Sequence, residues 1–139
     1  MLRVFVYGTL RAGEVNDLNQ AAARHGIEAA TRVGRATVAG RLYDFGTYPG
    51  LVLDASAGHV VGDIYDIPDA LLPVLDEIEE VYPGQATLFI RETQPVMLDG
   101  APVDCLLYPV ADSAVAGLAR IESGDWVDYR RARDTPTAA

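Results

Sequence analysis

The sequence predicts an α+β fold in which a curled or closed, mostly antiparallel sheet carries a few short helices on its outside. Short apolar segments with a period of two residues, separated by glycine and proline turns, outnumber segments with a helical period. Half of the 139 residues are hydrophobic, and a chain of this length can bury one core but not two ordinary ones. We therefore expect a single domain over residues 1–130 and a flexible tail over residues 131–139.

The first half of the chain is predicted to contain a strand, a short helix and a group of strands. Residues 4–6 form an apolar run that stops at Gly8, where the backbone can turn with no side chain projecting from it. A helix is expected over residues 15–26, with Asn16 as its cap. Over residues 29–53 the apolar residues approach a period of two, and several glycines interrupt them. This pattern predicts short strands broken by glycine turns.

The second half continues with strands around one clear helix. A strand is predicted over residues 60–67 and an amphipathic helix over residues 69–81. Two further strands follow over residues 87–98 and 103–110, and a last short helix over residues 112–120. Strands dominate this order of elements, which favours a sheet that closes on itself with the helices outside.

Charge and hydropathy restrict the partners that this chain can bind. The formal net charge is -9 and the isoelectric point is near 4.5, so nucleic-acid backbones and anionic membrane surfaces would repel the protein. The sequence shows no charged-then-apolar leader and no apolar run near the roughly 20 residues that span a bilayer. We expect a cytoplasmic protein with no membrane or nucleic-acid partner and, since no long apolar surface stripe stands out, a monomer.

The residues that usually hold metals are scarce. Cys105 is the single cysteine, and His25 and His59 have no ligand spacing to each other. We expect neither a metal site nor a cofactor, and no internal disulfide can form.

The helix predicted over residues 69–81 carries four carboxylates near its end, of which one faces inward. At about 100° per residue, an apolar stripe is formed by Leu71, Leu72, Val74, Leu75 and Ile78. Glu79 projects between Leu75 and Leu72, whereas Asp76, Glu77 and Glu80 point away from the stripe.

An inward carboxylate needs a partner or a changed pKa, because burying a bare charge is very costly. An ion pair with Arg91 or Arg41 would make Glu79 structural, and helix geometry alone favours this alternative. A partly desolvated Glu79 at the edge of a pocket would instead have a pKa near neutrality, as a general acid or base needs.

The turn after the first strand is the second candidate element of a site. A strand that ends in Tyr-Gly-Thr-Leu can leave several backbone N–H groups pointing into one concavity, which is how proteins hold small anions such as carboxylates. The sequence therefore indicates a binding site at residues 7–10.

Five motifs in order resemble the γ-glutamylcyclotransferase-like, or AIG2-like, family. The resemblance runs from residue 4 to about residue 130 and is carried by Val6–Gly13, Gly40–Gly50, Val61–Tyr65, Leu75–Glu79 and Ser123–Trp126. It implies a small, mostly antiparallel β-barrel with peripheral short helices and a cavity at one end. Enzymes of this family cleave γ-glutamyl amides without water: the free α-amine attacks its own γ-carbonyl, which forms 5-oxoproline and releases an amine.

The resemblance also implies roles for individual residues. Glu79 would take a proton from the α-ammonium group and give one to the departing nitrogen. Substrate would be gripped by the backbone of Tyr7, Gly8, Thr9 and Leu10. Tyr108 matches a second family tyrosine near the cavity and could supply a hydroxyl, although an ordinary strand aromatic fits it equally well.

One departure from the family motifs leaves an alternative function open. Where the family commonly has Tyr-x-Arg, this chain has Phe89-Ile90-Arg91 and lacks a hydroxyl that could contact substrate or Glu79. This loss is compatible with a non-catalytic module that binds a small metabolite or a protein on the same fold.

Overall fold

The computed structural model describes residues 2–79 and 89–134. Two single turns of 3₁₀ helix lie at Asp69–Leu71 and Asp112–Val115. The longer elements, in chain order, are β1 (Leu2–Val6), α1 (Leu18–Arg24), β2 (Thr31–Asp44), β3 (Pro49–Leu53), β4 (His59–Ile67), α2 (Leu72–Ile78), β5 (Glu92–Leu98), β6 (Ala101–Leu107) and α3 (Trp126–Asp134).

Five of the strands close into a barrel. Their order within the described residues is β2–β4–β1–β6–β5, and β5 returns to β2 through the pair Thr37 and Met97. The pairings are antiparallel except for β1 and β6, which run parallel and pair Val4 with Leu106. β3 pairs with the far end of β2 outside the ring. The predicted mostly antiparallel barrel with peripheral helices is confirmed.

The prediction of short strands broken by glycine turns is wrong for residues 31–44, which form the single long strand β2, whereas the turn with Gly46 does separate β2 from the short strand β3. β2 runs for 14 residues, and its glycines serve other purposes. Gly34 lies at a shift in register against β4. At Gly40 a Cβ atom would lie 2.7 Å from the carbonyl oxygen of Val52 on β3, so this glycine permits close approach of two strands.

The early helix begins later than predicted. The carboxylate of Asp17, and not the side chain of Asn16, accepts the backbone N–H groups of Asn19 and Gln20 at the start of α1. Asn16 donates instead to the hydroxyl of Thr9, 3.1 Å away. Asp17 is the better cap here because its charge also favours the positive end of the helix.

The C-terminal part differs most from the prediction. The expected helix over residues 112–120 is only the 3₁₀ turn, whereas α3 was not predicted at all. Asp125 caps α3 by accepting the N–H groups of Val127 and Asp128. The predicted domain boundary at residue 130 falls inside α3. No helix in the described parts of the chain is long and apolar enough to cross a membrane.

β1 is buried on both faces, and this burial determines where α2 and the candidate site lie on the barrel. Phe5 points into the barrel interior, where it joins side chains from all the other strands and Trp126 of α3. Val4 and Val6 point outward into a second cluster. That cluster also contains Leu71, just before α2, and Leu75 of α2. Since alternate residues of a strand face opposite sides, β1 fixes the position of α2 against the outside of the barrel.

Candidate active site

The end of β1 and the end of α2 meet at one cavity. Its lining contains all six residues that the sequence predicted for the site: Tyr7, Gly8, Thr9, Leu10, Glu79 and Tyr108. Phe5, Val6, Tyr48, Pro49 and Phe89 complete it. The two halves of the predicted site, a backbone turn and a helix carboxylate, are therefore neighbours in space.

Glu79 stands at the C-terminus of α2, with its backbone N–H donating to Leu75 3.0 Å away. Leu71 and Leu75 are fully buried, and Glu79 continues the same face because it lies four residues beyond Leu75. Its side chain is partly buried and has no hydrogen bond or ion pair within residues 2–79 and 89–134. Burial raises the pKa of Glu79 from 4.5 to about 7.

Of the two alternatives for Glu79, the ion pair with Arg91 or Arg41 does not form among the described residues. Arg41 pairs with Asp54 and with Asp112, and Arg91 pairs with Asp76. Both cations are thus held by other carboxylates, and the second alternative, a desolvated carboxyl at the edge of a cavity, describes Glu79.

The turn after β1 is held by its carbonyl groups. The oxygen of Gly8 accepts from Arg11, that of Thr9 from Asn16 and that of Leu10 from Leu18, at 2.9 to 3.1 Å. None of the three N–H groups of residues 8–10 donates to an acceptor in the described part of the chain. The three residues line the cavity, so these donors lie at its edge and can serve a polar ligand.

Gly8 is required for close packing. Its backbone does not have a positive φ, so no turn conformation demands glycine there. A Cβ atom at residue 8 would instead lie 2.6 Å from Cγ of Pro49, at the start of β3. The absence of a side chain lets the turn lie directly against this proline, which also lines the cavity.

Tyr7 and Tyr108, two of the three tyrosines found in the lining among the described residues, have different hydrogen bonds. The hydroxyl of Tyr7 donates to the carbonyl of Tyr108 at 2.6 Å and accepts from the N–H of Leu51 at 3.2 Å. The Tyr108 hydroxyl donates to Asp76 at 2.7 Å. Burial raises the pKa of both phenols; the nearby carboxyl of Glu79 raises that of Tyr7 further, and for Tyr108 the hydrogen bond to Asp76 adds more than Glu79 does. Both stay neutral at physiological pH, and Tyr7 supports the cavity wall.

Asp76 is the site residue that sequence reasoning missed. It was expected to point away from the core, yet its carboxylate accepts from Tyr108 and from Arg91 and is partly buried. The missed signal is its spacing: residues three apart on a helix are surface neighbours, so Asp76 lies beside Glu79. Asp76 fixes the direction of the Tyr108 hydroxyl next to the cavity.

The cavity is narrow in this conformation. Its volume of about 20 Å³ admits roughly one water molecule. Part of its wall is aromatic: the ring of Tyr48 stacks on Phe45 at 5.4 Å and tilts against Phe89 at 5.8 Å. A glutamyl group would enter only if side chains of this wall move apart.

The arrangement suits proton transfer to and from a small polar molecule. A carboxyl with a pKa near 7 can both accept and give a proton at neutral pH. The N–H groups of residues 8–10, which have no acceptor among residues 2–79 and 89–134, can fix a carboxylate or carbonyl beside it. Within the described residues no group of three or more histidine, cysteine or acidic side chains could hold a metal ion.

The family model, the relatives and the solved structure that resemble this chain all carry gamma-glutamyl cyclotransferase or AIG2-like descriptions. A family model described as gamma-glutamyl cyclotransferase, AIG2-like, matches residues 4–128. A putative gamma-glutamylcyclotransferase from Halalkalibacterium halodurans is 36% identical over 96 residues, which are 68% of this chain and 85% of that protein.

Another relative and one solved structure extend the similarity. The gamma-L-glutamyl-butirosin B gamma-glutamyl cyclotransferase of Niallia circulans is 40% identical over 94 residues, 66% of this chain and 55% of that longer protein. The crystal structure of an AIG2-like protein from Mus musculus superposes with a TM-score of 0.72 at 27% identity, over 88% of this chain and 86% of that one.

Proposed function

This chain belongs to the AIG2-like gamma-glutamyl cyclotransferase family, and on that premise we propose that it releases 5-oxoproline and an amine from a γ-glutamyl amide, with Glu79 as the general acid and base. The observation that carries the proposal is the state of Glu79: a carboxyl without a cation partner in the described residues, at a cavity, with its pKa raised to about 7.

The reaction asks little of the protein beyond positioning and proton transfer. The α-amine of the glutamyl group forms a bond to its own γ-carbon while the bond from that carbon to the leaving nitrogen breaks. Because the five-membered ring closes within one molecule, holding the chain in a folded conformation supplies much of the rate enhancement. Glu79 accepts a proton from the α-ammonium group, which frees the attacking lone pair, and then protonates the leaving nitrogen.

The remaining lining residues would bind the glutamyl group. The N–H groups of residues 8–10 would hold its negatively charged or carbonyl oxygens. Since the hydroxyl proton of Tyr108 is donated to Asp76, its phenolic oxygen can accept from the α-ammonium group. The hydroxyl of Tyr7 is occupied by Tyr108 and Leu51, so Tyr7 contributes to the wall and not to a polar contact.

The direct test is release of 5-oxoproline from a panel of γ-glutamyl amides that differ in their amine. We expect turnover of at least one, with stoichiometric 5-oxoproline and free amine and no free glutamate, because water is not the nucleophile. If no member of a broad panel yields 5-oxoproline, the non-catalytic binding module replaces the enzyme as the function of this chain. The apolar side chain of Phe89 at the cavity is compatible with that alternative.

The pH dependence of kcat/KM should report the pKa of Glu79. The carboxyl must be ionised to accept a proton, so kcat/KM should rise from about pH 5.5 and level off above a pKa of about 7. A carboxyl at its ordinary value of 4.5 would already be ionised throughout this range. Tyr7 and Tyr108, which face Glu79, stay neutral there because their own pKa values are raised.

No histidine lines the cavity, and both His25 and His59 are exposed. An ionisation near pH 7 would therefore belong to Glu79. A flat profile between about pH 5.5 and 8 would argue against Glu79 as the base.

A further inference from the structure

The proposed cyclisation removes two protons from the attacking nitrogen, and Glu79 can hold only one of them at a time. The α-ammonium group carries three hydrogens, whereas the nitrogen of 5-oxoproline carries one. Glu79 takes the first proton before the attack and keeps it until the leaving nitrogen receives it. Because a protonated carboxyl cannot accept another proton during that interval, the second proton needs a different route.

The hydroxyl of Tyr108 connects the cavity with a second carboxylate. Tyr108 lines the cavity, and its hydroxyl donates to Asp76 at 2.7 Å. In residues 2–79 and 89–134 the lining contains three other hydroxyl side chains. That of Tyr7 donates to a backbone carbonyl, and those of Thr9 and Tyr48 donate to no carboxylate of these residues. Among the described residues Tyr108 is therefore the lining hydroxyl in direct contact with a base.

Asp76 connects this hydroxyl with solvent. Its side chain is 22% exposed, so a proton that arrives there can pass to water. Its partner Arg91 stabilises the carboxylate, which has to be restored after each turnover. The helix itself gains nothing from this charge, because a carboxylate in the last turn of α2 is opposed by the helix dipole. Asp76 therefore contributes through its contacts with Tyr108 and Arg91.

We propose that the second proton leaves the substrate through Tyr108 to Asp76. In this relay Tyr108 is a catalytic residue, since its oxygen contacts the reacting nitrogen, and Asp76 is a positioning residue that acts through Tyr108 and receives its proton. The relay rests on the proposed cyclotransferase function and adds a second proton acceptor to Glu79.

The relay balances the protons of the reaction. When the nitrogen attacks, it bonds to the γ-carbon, keeps two hydrogens and becomes positively charged, while a pair of carbonyl electrons moves to the oxygen. One of the two hydrogens passes as a proton to the oxygen of Tyr108, whose own proton passes to Asp76. The carbonyl re-forms, the bond to the leaving nitrogen breaks with its electrons, and that nitrogen takes the proton of Glu79.

The starting state is restored without a charged tyrosine. Asp76 gives its proton to water, and the hydroxyl of Tyr108 turns back to donate to the carboxylate. Tyr108 loses and gains a proton in one step and is neutral before and after it. A phenolate is avoided, as its burial requires: burial and the hydrogen bond to Asp76 raise the pKa of Tyr108.

Asp76→Asn tests the relay, because the amide can still accept a hydrogen bond from Tyr108 but cannot take up its proton. We expect kcat for the best amide of the panel to fall about 10²-fold, at the lower end of what acid–base transfer contributes. Asp54→Asn is the matched control: Asp54 is 30% exposed, pairs with Arg41 and lies outside the lining. It should leave kcat unchanged. Retention of more than about a third of kcat in Asp76→Asn would refute the relay.

Two further variants separate the relay from a structural ion pair. Arg91→Met removes the ion pair and leaves the contact between Asp76 and Tyr108, so kcat should stay within about threefold. Tyr108→Phe should lower kcat about as much as Asp76→Asn, and the double variant should be little slower than either, because both changes remove the same route. Additive losses, or an equal loss in Arg91→Met, would overturn the proposal.

The solvent isotope effect is a readout that a structural role would not change. Two hydrogens move together in the relay, so kcat in mixtures of H₂O and D₂O should fall along a curve as the fraction of D₂O rises. In Asp76→Asn the coupled transfer is lost, and the dependence should become a straight line. A straight line or no isotope effect in the unchanged protein would contradict the relay.

Failure of the relay and failure of the cyclotransferase give different results. If the unchanged protein turns over no γ-glutamyl amide, both proposals are refuted. If it turns over at least one amide and Asp76→Asn does so at a similar rate, the cyclotransferase stands and the relay alone is refuted.

Discussion

Replacing Glu79 with glutamine is expected to reduce 5-oxoproline release by about 10²- to 10⁴-fold, the usual contribution of a general acid or base. The amide has nearly the same shape and can still contact the substrate, but it cannot accept a proton from the α-ammonium group. The loss should appear mainly in kcat, with a smaller change in KM, because the proposed binding contacts come from the backbone of residues 8–10. Initial rates of 5-oxoproline formation from the best amide of the panel measure it.

Glu77→Gln is the matched control, since Glu77 lies on the same helix, is exposed and undergoes the same chemical change. Its activity should equal that of the unchanged protein. If Glu79→Gln keeps more than about a tenth of the activity, another group performs the proton transfer.

Unfolding curves separate this effect from misfolding. The folded-state pKa of Glu79 is about 7, above its ordinary value of 4.5, so the folded protein binds more protons in this range and stability falls as pH rises from about 4.5 to 7. At pH 8 the ionised, desolvated carboxylate opposes folding, and Glu79→Gln should be at least as stable as the unchanged protein. A variant that is inactive yet not destabilised points to chemistry.

The parts of the site that sequence could predict are those set by local periodicity. The rotation per residue of α2 placed Glu79 on the buried face, and the abrupt end of an apolar run located the turn at residues 7–10. Both are short-range properties of the chain. Glu79 and the turn at residues 7–10 meet at one cavity because both faces of β1 are buried. That burial depends on the position of β1 in the strand order of the barrel.

The parts that sequence could not predict depend on contacts between distant residues. Gly34 and Gly40 interrupt the pattern of β2 as turn glycines would, but they accommodate β4 and β3 across the sheet. Asp76 lies three residues before Glu79 in the chain. Its function becomes visible only in the fold, where Tyr108 lies beside it and donates to its carboxylate. Helix α3 is mostly polar, so its apolar periodicity is weak. Its start depends on Asp125, whose carboxylate is held by Arg11.

Arg11 connects three elements behind the candidate site. Its guanidinium donates to Asp63 on β4 at 3.1 Å and to Asp125, the cap of α3, at 3.0 Å. The side chains are 12%, 7% and 10% exposed. Asp63 and Asp125 also contact Arg32 and Arg35, but those side chains are 50% and 64% exposed and the Arg35 contact is long, at 3.5 Å.

Arg11→Met should therefore lower the free energy of unfolding by about 3 kcal/mol, because it keeps the length of the side chain but leaves the buried carboxylates of Asp63 and Asp125 with only their contacts to the more exposed Arg32 and Arg35. For a chain of this size the expected fall in Tm is about 10 °C. Arg35→Met removes an exposed contact to the same Asp125 and should cost less than about 0.5 kcal/mol. Denaturant titrations of both variants measure the difference. If the two variants lose similar stability, Arg11 does not provide the main compensation for these carboxylates; if Arg11→Met alone is destabilised, this ion-pair network holds the turn at residues 8–10 to the barrel and to α3.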